Sequence, residues 1–454
     1  LAKFFKMITE NTPITFSDKL PQDVDVAIIG GGVIGIFTAL FINRQGFKTI
    51  VLEKGRIAGE QSSRNWGWIR QQGRDEAEIP IMQHASRLWE EIDKELKGKC
   101  GFQRAGLMYI ASSEEKLQQR QQWLSTAKSY GIDSLELDRQ QLAKTLNQNQ
   151  SQLYHQWLGA VCTPSDARAE PWQAVPEVAK LCHQEGVKII ENCAVRECQT
   201  SNGKLTALHT EKGLLKPSQA VLAGGAWSAL FLKHHHIHIP QLSVRASVAQ
   251  TTPLPELWQG NTADEKIGFR RRLDGGYSLA LPDFIELFLG RNTLKNALTW
   301  LPVGKKYWND LKFRMPVPSD YPDSSTAHQN WQADQQSPFE KMRVLNPMPP
   351  QKAIETMQQR FGERFPIMKE VPILNSWAGM IDAMPDLVPI VDYVPQIKGL
   401  ILATGMSGHG FGIAPAFGKI ITELLQEKPP SYNINRFRFN RFNDGSKLIL
   451  GPGI

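Results

Sequence analysis

The residues best placed to do chemistry are glycine-centred groups and one arginine cluster. The first group is Gly30-x-Gly32-x-x-Gly35, which follows the apolar run 24–29. Glu53 lies about 18 residues beyond its last glycine, closing a second apolar run, 49–52. In that setting Gly30 permits a tight strand-to-helix turn, Gly32 lets backbone approach a pyrophosphate, and Gly35 lets a helix pack close on a sheet. The helix opening at Val33 and Ile34 offers free amides and a positive dipole end to phosphate. Glu53, with Lys54 beside it, stands where an acid accepts hydrogen bonds from ribose hydroxyls. Strand, glycine turn, helix, strand and acid together describe a dinucleotide cradle.

Three further stretches point at the same ligand. In 58–68, Ser62, Ser63, Arg64 and Asn65 are polar residues suited to phosphate or a heterocycle edge, in a segment with no clear periodicity. A surface loop anchored by Trp66 and Trp68 is the alternative. The run ending in Ala223-Gly224-Gly225-Ala226-Trp227 repeats the strand-into-glycine pattern without a complete fingerprint. The run 400–404 continues into Gly405-Met406-Ser407-Gly408-His409-Gly410-Phe411-Gly412, and a helix is expected from about 414 to 425.

The arginine cluster is Arg270-Arg271-Arg272, ahead of Asp274-Gly275-Gly276. A two-residue hairpin loop, at Asp274-Gly275 or Gly275-Gly276, puts Arg270 and Arg272 on the face of Tyr277, Leu279 and Leu281. A cation on a half-apolar face needs an anion, from protein or substrate; otherwise the face is exposed and the arginines are solvated. The histidines at 234–236 and 238 have no cysteine or carboxylate in their spacing, so they read as a solvated loop and no metal site is expected.

The elements that must position these groups alternate strand and helix. Helices are expected at about 78–97, 113–131, 166–186 and 351–361, strands at 106–111 and 187–190, and a hairpin turn at Asn202-Gly203. Regularity fades over 292–350, which reads as an inserted module.

At 454 residues the chain is long for one core. It is 41% hydrophobic and 21% charged, with mean hydropathy −0.33. No run approaches the roughly 18 apolar residues of a membrane span. The chain opens on Leu1 rather than Met, which points to a missing upstream piece. Its net charge of +7 suits anionic ligands. That charge is scattered outside 270–272, so no nucleic acid partner is expected. Five cysteines without a CxxC argue against a disulfide framework and point to a reducing, cytoplasmic setting. A pyridine-nucleotide reductase would need a second complete fingerprint, and none is present.

With these pieces in this order, the chain resembles the FAD-dependent D-amino-acid oxidase/glycine oxidase superfamily over almost its whole length. The likeness rests on 30–53, 221–228, 377–392 and 403–412. Ala58-Gly59-Glu60-Gln61-Ser62-Ser63-Arg64 and Ser337-Pro338-Phe339-Glu340-Lys341 are similar to the membrane-associated L-amino acid deaminases. Ser407-Gly408-His409-Gly410-Phe411-Gly412 is more similar to glycine oxidases and D-amino acid dehydrogenases.

The resemblance implies an α/β fold: a Rossmann-like FAD-binding domain split in sequence, interleaved with an α+β substrate domain on a mostly antiparallel sheet. The FAD parts would be 22–75, 161–240 and 371–430. The substrate parts would be 76–160 and 241–370, the insertion about 292–350 and the tail 431–454. The dinucleotide becomes FAD, noncovalent because no histidine falls in 62–67. Val195 would meet its adenine side, and Gly379 and the 405–412 loop its flavin.

By the same resemblance Arg270, with Tyr277 seven residues on, would bind a substrate carboxylate, and His409 would contact or polarise the flavin. The implied reaction oxidises an amino acid or secondary amine acid to an imine, which water hydrolyses to a 2-oxo acid and ammonia. Oxygen or a membrane quinone would accept the electrons. Peripheral attachment to the inner face of the plasma membrane also follows from the resemblance. The insertion, with Trp300, Tyr307, Trp308 and Trp331, would be a lid or a docking surface.

Overall fold

The computed structural model describes residues 7–148, 157–325, 327, 330–368 and 370–451. The start of the chain at 1–6 lies outside them. Its apolar runs are buried strands of one eight-stranded sheet. In space they follow the order Ile390–Tyr393, Leu400–Thr404, Gly213–Leu222, Asp23–Ile29, Thr49–Leu52, Lys188–Ile190. All neighbours on that path are parallel except the edge pair Ile390–Tyr393 with Leu400–Thr404. The hairpin Val195–Ser201 and Lys204–Thr210 continues from Gly213–Leu222. It turns at Asn202 (φ 50°) and Gly203 (φ 72°), as expected of an Asn-Gly pair.

Along Asp23–Ile29 the side chains alternate between two cores. Val26 and Ile28 face helices Val33–Asn43, Ile79–Glu95, Pro171–Gln184 and Gly410–Leu425. Ala27 and Ile29 face Trp227, Phe231 and Phe339. Helix Val33–Asn43 is buried from Val33 to Ile42 because it is covered from both sides. Where it crosses Gly410–Leu425, a Cβ on Gly418 would sit 2.8 Å from the Phe37 carbonyl carbon. That last helix starts a turn earlier than its apolar periodicity suggests.

A second sheet has ten strands and takes the intervening chain, including Leu107–Ala111, Gly159–Thr163, Leu242–Thr251, Gly268–Arg271, Tyr277–Ala280 and Ile373–Ala383. Its spine is the antiparallel pair Leu242–Thr251 with Ile373–Ala383. Only Asn261–Ala263 on Leu107–Ala111 and Ile285–Phe288 on Leu311–Arg314 run parallel. This is the α/β architecture expected, with the two sheets interleaved in sequence.

Two segments are more regular than their composition suggests. Residues 58–68 hold one helical turn, Gln61–Arg64, before the strand Trp68–Ile69. The insertion holds Arg291–Lys295 and Ala297–Lys306, and its strand Leu311–Arg314 extends the second sheet. All five cysteines are free and buried.

Candidate active site

Strand order reverses at Asp23–Ile29, whose neighbours run to Thr49–Leu52 on one side and Gly213–Leu222 on the other. A crevice at the carboxyl ends of such strands is where open α/β sheets bind ligands. Here it is a crevice of about 1210 Å³, counting its solvent-open part, lined at the strand ends by Ile29, Leu52, Leu222 and Ala403. Gly30 adopts φ 111°, and a Cβ there would lie 2.4 Å from the Ala223 carbonyl oxygen. Only glycine makes this turn and lets the two strand ends meet. A Cβ on Gly35 would lie 2.1 Å from the Gly30 carbonyl oxygen, so this glycine packs the helix and does not face the cavity.

Gly32 caps helix Val33–Asn43 without a side chain. Instead the Val33 N–H donates to Ser62 Oγ at 2.9 Å. A hydroxyl from the next segment therefore stands at the positive end of the first helix, with Gly32, Val33 and Ile34 on the cavity wall. Glu53 Oε2 accepts from the Gly31 N–H at 2.7 Å and Oε1 from the Gly55 N–H at 2.7 Å. Burial pushes its carboxyl up to about 7, against the pull of Lys54 and those two amides. Glu53 lines the cavity and braces the glycine loop.

Lys54, Glu60 and Trp227 close one side. Lys54 Nζ lies 2.6 Å from Glu60 Oε1 and 4.4 Å above the Trp227 ring, whose Nε1 donates to Glu60 Oε2 at 3.0 Å. Lys54 also donates to the Met342 carbonyl oxygen at 2.7 Å, so the insertion helps wall this end through Phe339. Val195, Ala223 and Gly224 line the cavity as well.

At the other side the 405–408 turn runs through Gly405 (φ 71°), Ser407 (φ 47°) and Gly408 (φ 80°). Asp382 holds it, accepting from the Gly405 N–H at 2.7 Å and the Met406 N–H at 3.2 Å. Burial pushes the Asp382 carboxyl up. Met406, Gly408, Gly410 and Phe411 reach the cavity.

Several expected ligand contacts prove to be scaffold. Arg64 is buried, donating to Asn346 Oδ1 at 2.6 Å and to the Ala378 and Gly59 carbonyls at 3.0 Å each. Ser63 Oγ reaches the Glu60 carbonyl at 3.3 Å, while Asn65 does line the cavity. Gly379 gives room to Gln61 and Arg64, Gly412 packs on Trp68, and Gly405 makes way for Met384. Ser407 Oγ donates to the Gly405 carbonyl at 3.0 Å and accepts from the Met384 N–H at 3.2 Å. The His409 ring does not face the cavity: Nδ1 lies 3.9 Å from Glu78 Oε2. Its carbonyl accepts from Arg74 at 3.2 Å. Glu78 is fully buried, which pushes its carboxyl up.

Sequence reasoning missed Glu60, Gln61, Met380, Asp382 and Met406 on the cavity wall. Asp382 carries a signal in retrospect: one acid in the apolar strand Ile373–Ala383. Glu60 carries little, because beyond Lys54 its partners, Trp227 and the Leu345 N–H, come from distant segments.

The Arg270 hairpin corrects two expectations. Register pairs Arg270 with Ser278 and Arg271 with Tyr277. The Arg272 N–H donates to the Gly276 carbonyl at 3.0 Å, leaving a three-residue loop, Leu273-Asp274-Gly275, with Gly275 at φ 83°. One extra residue flips the faces. Tyr277 is wholly buried among Phe269 and Phe361, its hydroxyl donating to the Pro255 carbonyl at 3.0 Å and accepting from the Leu257 N–H at 2.8 Å. It is a core residue and does not stand beside Arg270.

Arg270 is 1% exposed, with NH1 and NH2 each 2.9 Å from a Glu170 oxygen. Burial would push Glu170 up, yet the Arg270 fork, Arg272 and the Leu273 N–H hold it down at about 2. Arg270 Nε has no hydrogen-bond partner among the described residues. Over this face lie Trp66 and Trp68, edge to face at 5.0 Å. A Cβ on Gly268 would touch the Trp66 ring at 3.1 Å.

A switch-point crevice, a glycine cradle at a helix start without its own side-chain cap and a buried acid on the cavity wall define a dinucleotide-binding protein of the two-sheet flavoprotein type. The chain belongs to the DAO family of FAD-dependent oxidoreductases, whose model matches residues 25–424. The L-amino acid deaminase from Proteus myxofaciens, solved in complex with anthranilate, superposes with TM-score 0.89 at 26% identity, covering 96% of this chain and 97% of that one. The sarcosine oxidase subunit beta of Arthrobacter sp is 22% identical over 97% of this chain and 96% of its own. The mitochondrial pyruvate dehydrogenase phosphatase regulatory subunit of Mus musculus is 24% identical over 95% of this chain and 44% of its own length. The chain thus spans less than half of the first curated relatives it matches.

The residues fit FAD. The Gly30 and Gly32 cradle would take the pyrophosphate with Ser62, whose Oγ is set at the helix start by the Val33 N–H. Glu53 would take the ribose, and the 405–408 turn would face the ring system. No wall residue among those described is Cys, His or Tyr, the side chains that could bond a flavin covalently.

Proposed function

We propose that this enzyme oxidises an amino acid, or an N-methyl or other secondary amine acid, at its α-carbon. The resulting imine is hydrolysed by water to a 2-oxo acid and ammonia or an amine. The observation that carries this reading is the join at Asn65-Trp66: Asn65 lines the cofactor cavity, and the next residue lies over Gly268 and Arg270. Bound FAD supplies the hydride acceptor.

The chain's own residues orient and enclose the substrate. Trp66 and Trp68 exclude water and leave little room, which favours a small or flat side chain. Glu170 occupies both terminal nitrogens of Arg270, so a substrate carboxylate would be met by its Nε edge. Asp382 takes up the Gly405, Met406 and Ser407 N–H groups and so fixes the 405–408 turn against the cofactor cavity.

Anaerobic mixing of the yellow protein with D- and L-amino acids, glycine, proline and N-methyl amino acids tests this. Bleaching of the flavin band by at least one amine acid is the expected result; none would remove the reading. Recovery on admitting oxygen or a quinone analogue identifies the electron acceptor.

A second reading concerns where the enzyme works. Leu294, Leu298, Leu301, Trp308 and Met315 of the insertion are 77%, 88%, 50%, 63% and 75% exposed. Lys295, Lys305, Lys306 and Lys312 flank them, with Asp310 as the only nearby acid in 291–315. Exposed apolar area with a basic collar suits peripheral attachment to an anionic membrane surface. Among the described residues no helix is long and apolar enough to cross a membrane. Leu294→Glu/Leu298→Glu should abolish co-sedimentation with anionic vesicles; unchanged sedimentation would remove this reading.

A further inference from the structure

Asp382 lies near the end of the apolar strand Ile373–Ala383, on the wall of the cofactor cavity, and is 6% exposed. Its Oδ2 accepts from the Gly405 and Met406 N–H groups, and the Thr404 hydroxyl lies 3.4 Å from the same oxygen. Oδ1 takes neither amide. Among the described residues Asp382 has no ion-pair partner. Burial and hydrogen bonds set its charge, and burial, the largest of these, pushes the carboxyl up.

The elements packed on it bring neutral groups. Ser243 pairs with it across the sheet, the Thr404 hydroxyl also lies 3.1 Å from Gln241 Oε1, and the Ser407 N–H donates to the Asp382 carbonyl at 2.8 Å. The charged groups of the neighbourhood have partners of their own. Asp386 is held by Arg436 at 3.1 Å and by Arg441 at 2.8 Å. Beyond the 405–408 turn, Glu78 lies 3.5 Å from Arg74 and 3.9 Å from His409. At the Glu53 end of the crevice Lys54 is taken by Glu60 at 2.6 Å, and Glu53 itself by two backbone amides.

A buried carboxylate without a cation is kept charged by hydrogen bonds alone, so a further negative charge in the same crevice favours its protonation. Flavin reduction adds that charge: a hydride brings two electrons and one proton to the ring and leaves it anionic. The Gly405 and Met406 amides, which could offset the charge, already serve Asp382. We propose that Asp382 takes up a proton from water when the bound flavin is reduced and returns it on reoxidation. The site then gains two electrons and two protons, the hydride at the flavin and the second proton on an Asp382 oxygen. This rests on the FAD ring system lying at the 405–408 end of the crevice, whichever amine acid is oxidised.

The test reads the flavin midpoint potential of the FAD-loaded full chain against pH, at and above neutrality, by reduction with dithionite beside a reference dye. A chemical reductant keeps this separate from the substrate reading, which stands or falls on bleaching by amine acids. In the wild type the potential should fall with pH twice as steeply as one proton per two electrons allows. Asp382→Asn can still accept an amide through its side-chain oxygen, so the turn keeps its brace. It should halve the slope and shift the equilibrium toward reduced flavin by about tenfold at the alkaline end. Glu53→Gln and Glu78→Gln should keep the steep slope. A one-proton slope in the wild type overturns the proposal. So does a steep slope that survives Asp382→Asn or vanishes in Glu53→Gln or Glu78→Gln. Should Asp382→Asn emerge without flavin, the reduced-minus-oxidised infrared spectrum decides: a carboxylic C=O band must appear on reduction in the wild type, Glu53→Gln and Glu78→Gln, and its absence from any of them overturns the proposal.

Discussion

The cofactor cradle and the Arg270 hairpin meet at Asn65-Trp66 but are held together differently. The cradle is backbone: Gly30, Gly32, the Val33 amide and the 405–408 turn, with Ser62, Glu53 and Asp382 as braces. The hairpin end is side chain on side chain: Arg270 on Glu170, Arg272 on Asp274 at 3.0 Å, and two indoles filling the space above. A cofactor shared by a family is met mainly by backbone geometry, which depends on a few glycines and braces rather than on the wall's side chains at large. Substrate choice is left to charges and rings that substitution easily alters.

If that contrast holds, the largest effect belongs to the cradle. Gly30→Val places a branched side chain at φ 111° with its Cβ 2.4 Å from the Ala223 carbonyl. The protein should emerge without FAD, read as absence of flavin absorbance per mole of purified chain. Retained flavin would mean that the two strand ends spread apart at little cost.

Next comes the buried ion pair. Glu170→Ala leaves Arg270 charged, buried and without its fork, a loss of about 3–5 kcal/mol that denaturant titration should show. Glu170→Met/Arg270→Met should regain most of it. The folded Glu170 carboxyl sits near 2, below its ordinary 4.5. Its contribution is therefore complete above pH 4.5 and lost as pH falls toward about 2. The stability gap between wild type and Glu170→Met/Arg270→Met should change over that window and stay flat above it.

The same contrast explains what could be read from the chain. Gly30 to Glu53 is one βαβ unit whose roles are set by neighbours in sequence, so spacing predicts placement. The Arg270 face depended on a single loop residue: Leu273-Asp274-Gly275 instead of a two-residue turn. Asp274 stabilises the longer loop by accepting the Gly276 N–H at 3.0 Å, a contact periodicity does not contain. Glu170 lies 100 positions from Arg270 and was invisible as its partner. Arg64 and His409 failed for a related reason. Polar residues beside a ligand motif look like ligand contacts, but both turn to buried protein groups that close the fold.

Glu53 should show a smaller effect, split between cofactor and pH. Glu53→Gln removes the carboxyl that accepts the Gly31 and Gly55 N–H groups and would meet the ribose, and should weaken FAD by about 1–3 kcal/mol, measured by flavin fluorescence on reconstitution. Its folded carboxyl sits near 7, above the ordinary 4.5, so the folded apoprotein holds this proton longer than the unfolded chain. Apoprotein stability should therefore fall as pH rises from 4.5 to about 7. The Gln variant should lose that slope.

The smallest change is expected at the indole wall, where it bears on substrate choice alone. Trp66 touches Gly268, Trp68 and the Arg270 face but donates to no part of the cradle, so Trp66→Ala should leave FAD content untouched. It frees space beside Arg270, and pocket size discriminates by about tenfold per methylene or two. The variant should gain about that factor in kcat/KM for amine acids with large side chains relative to small ones. Trp66→Phe should fall between. A uniform loss across all side chains would mean instead that the indole orients every substrate, which would move it from a size filter to a positioning residue.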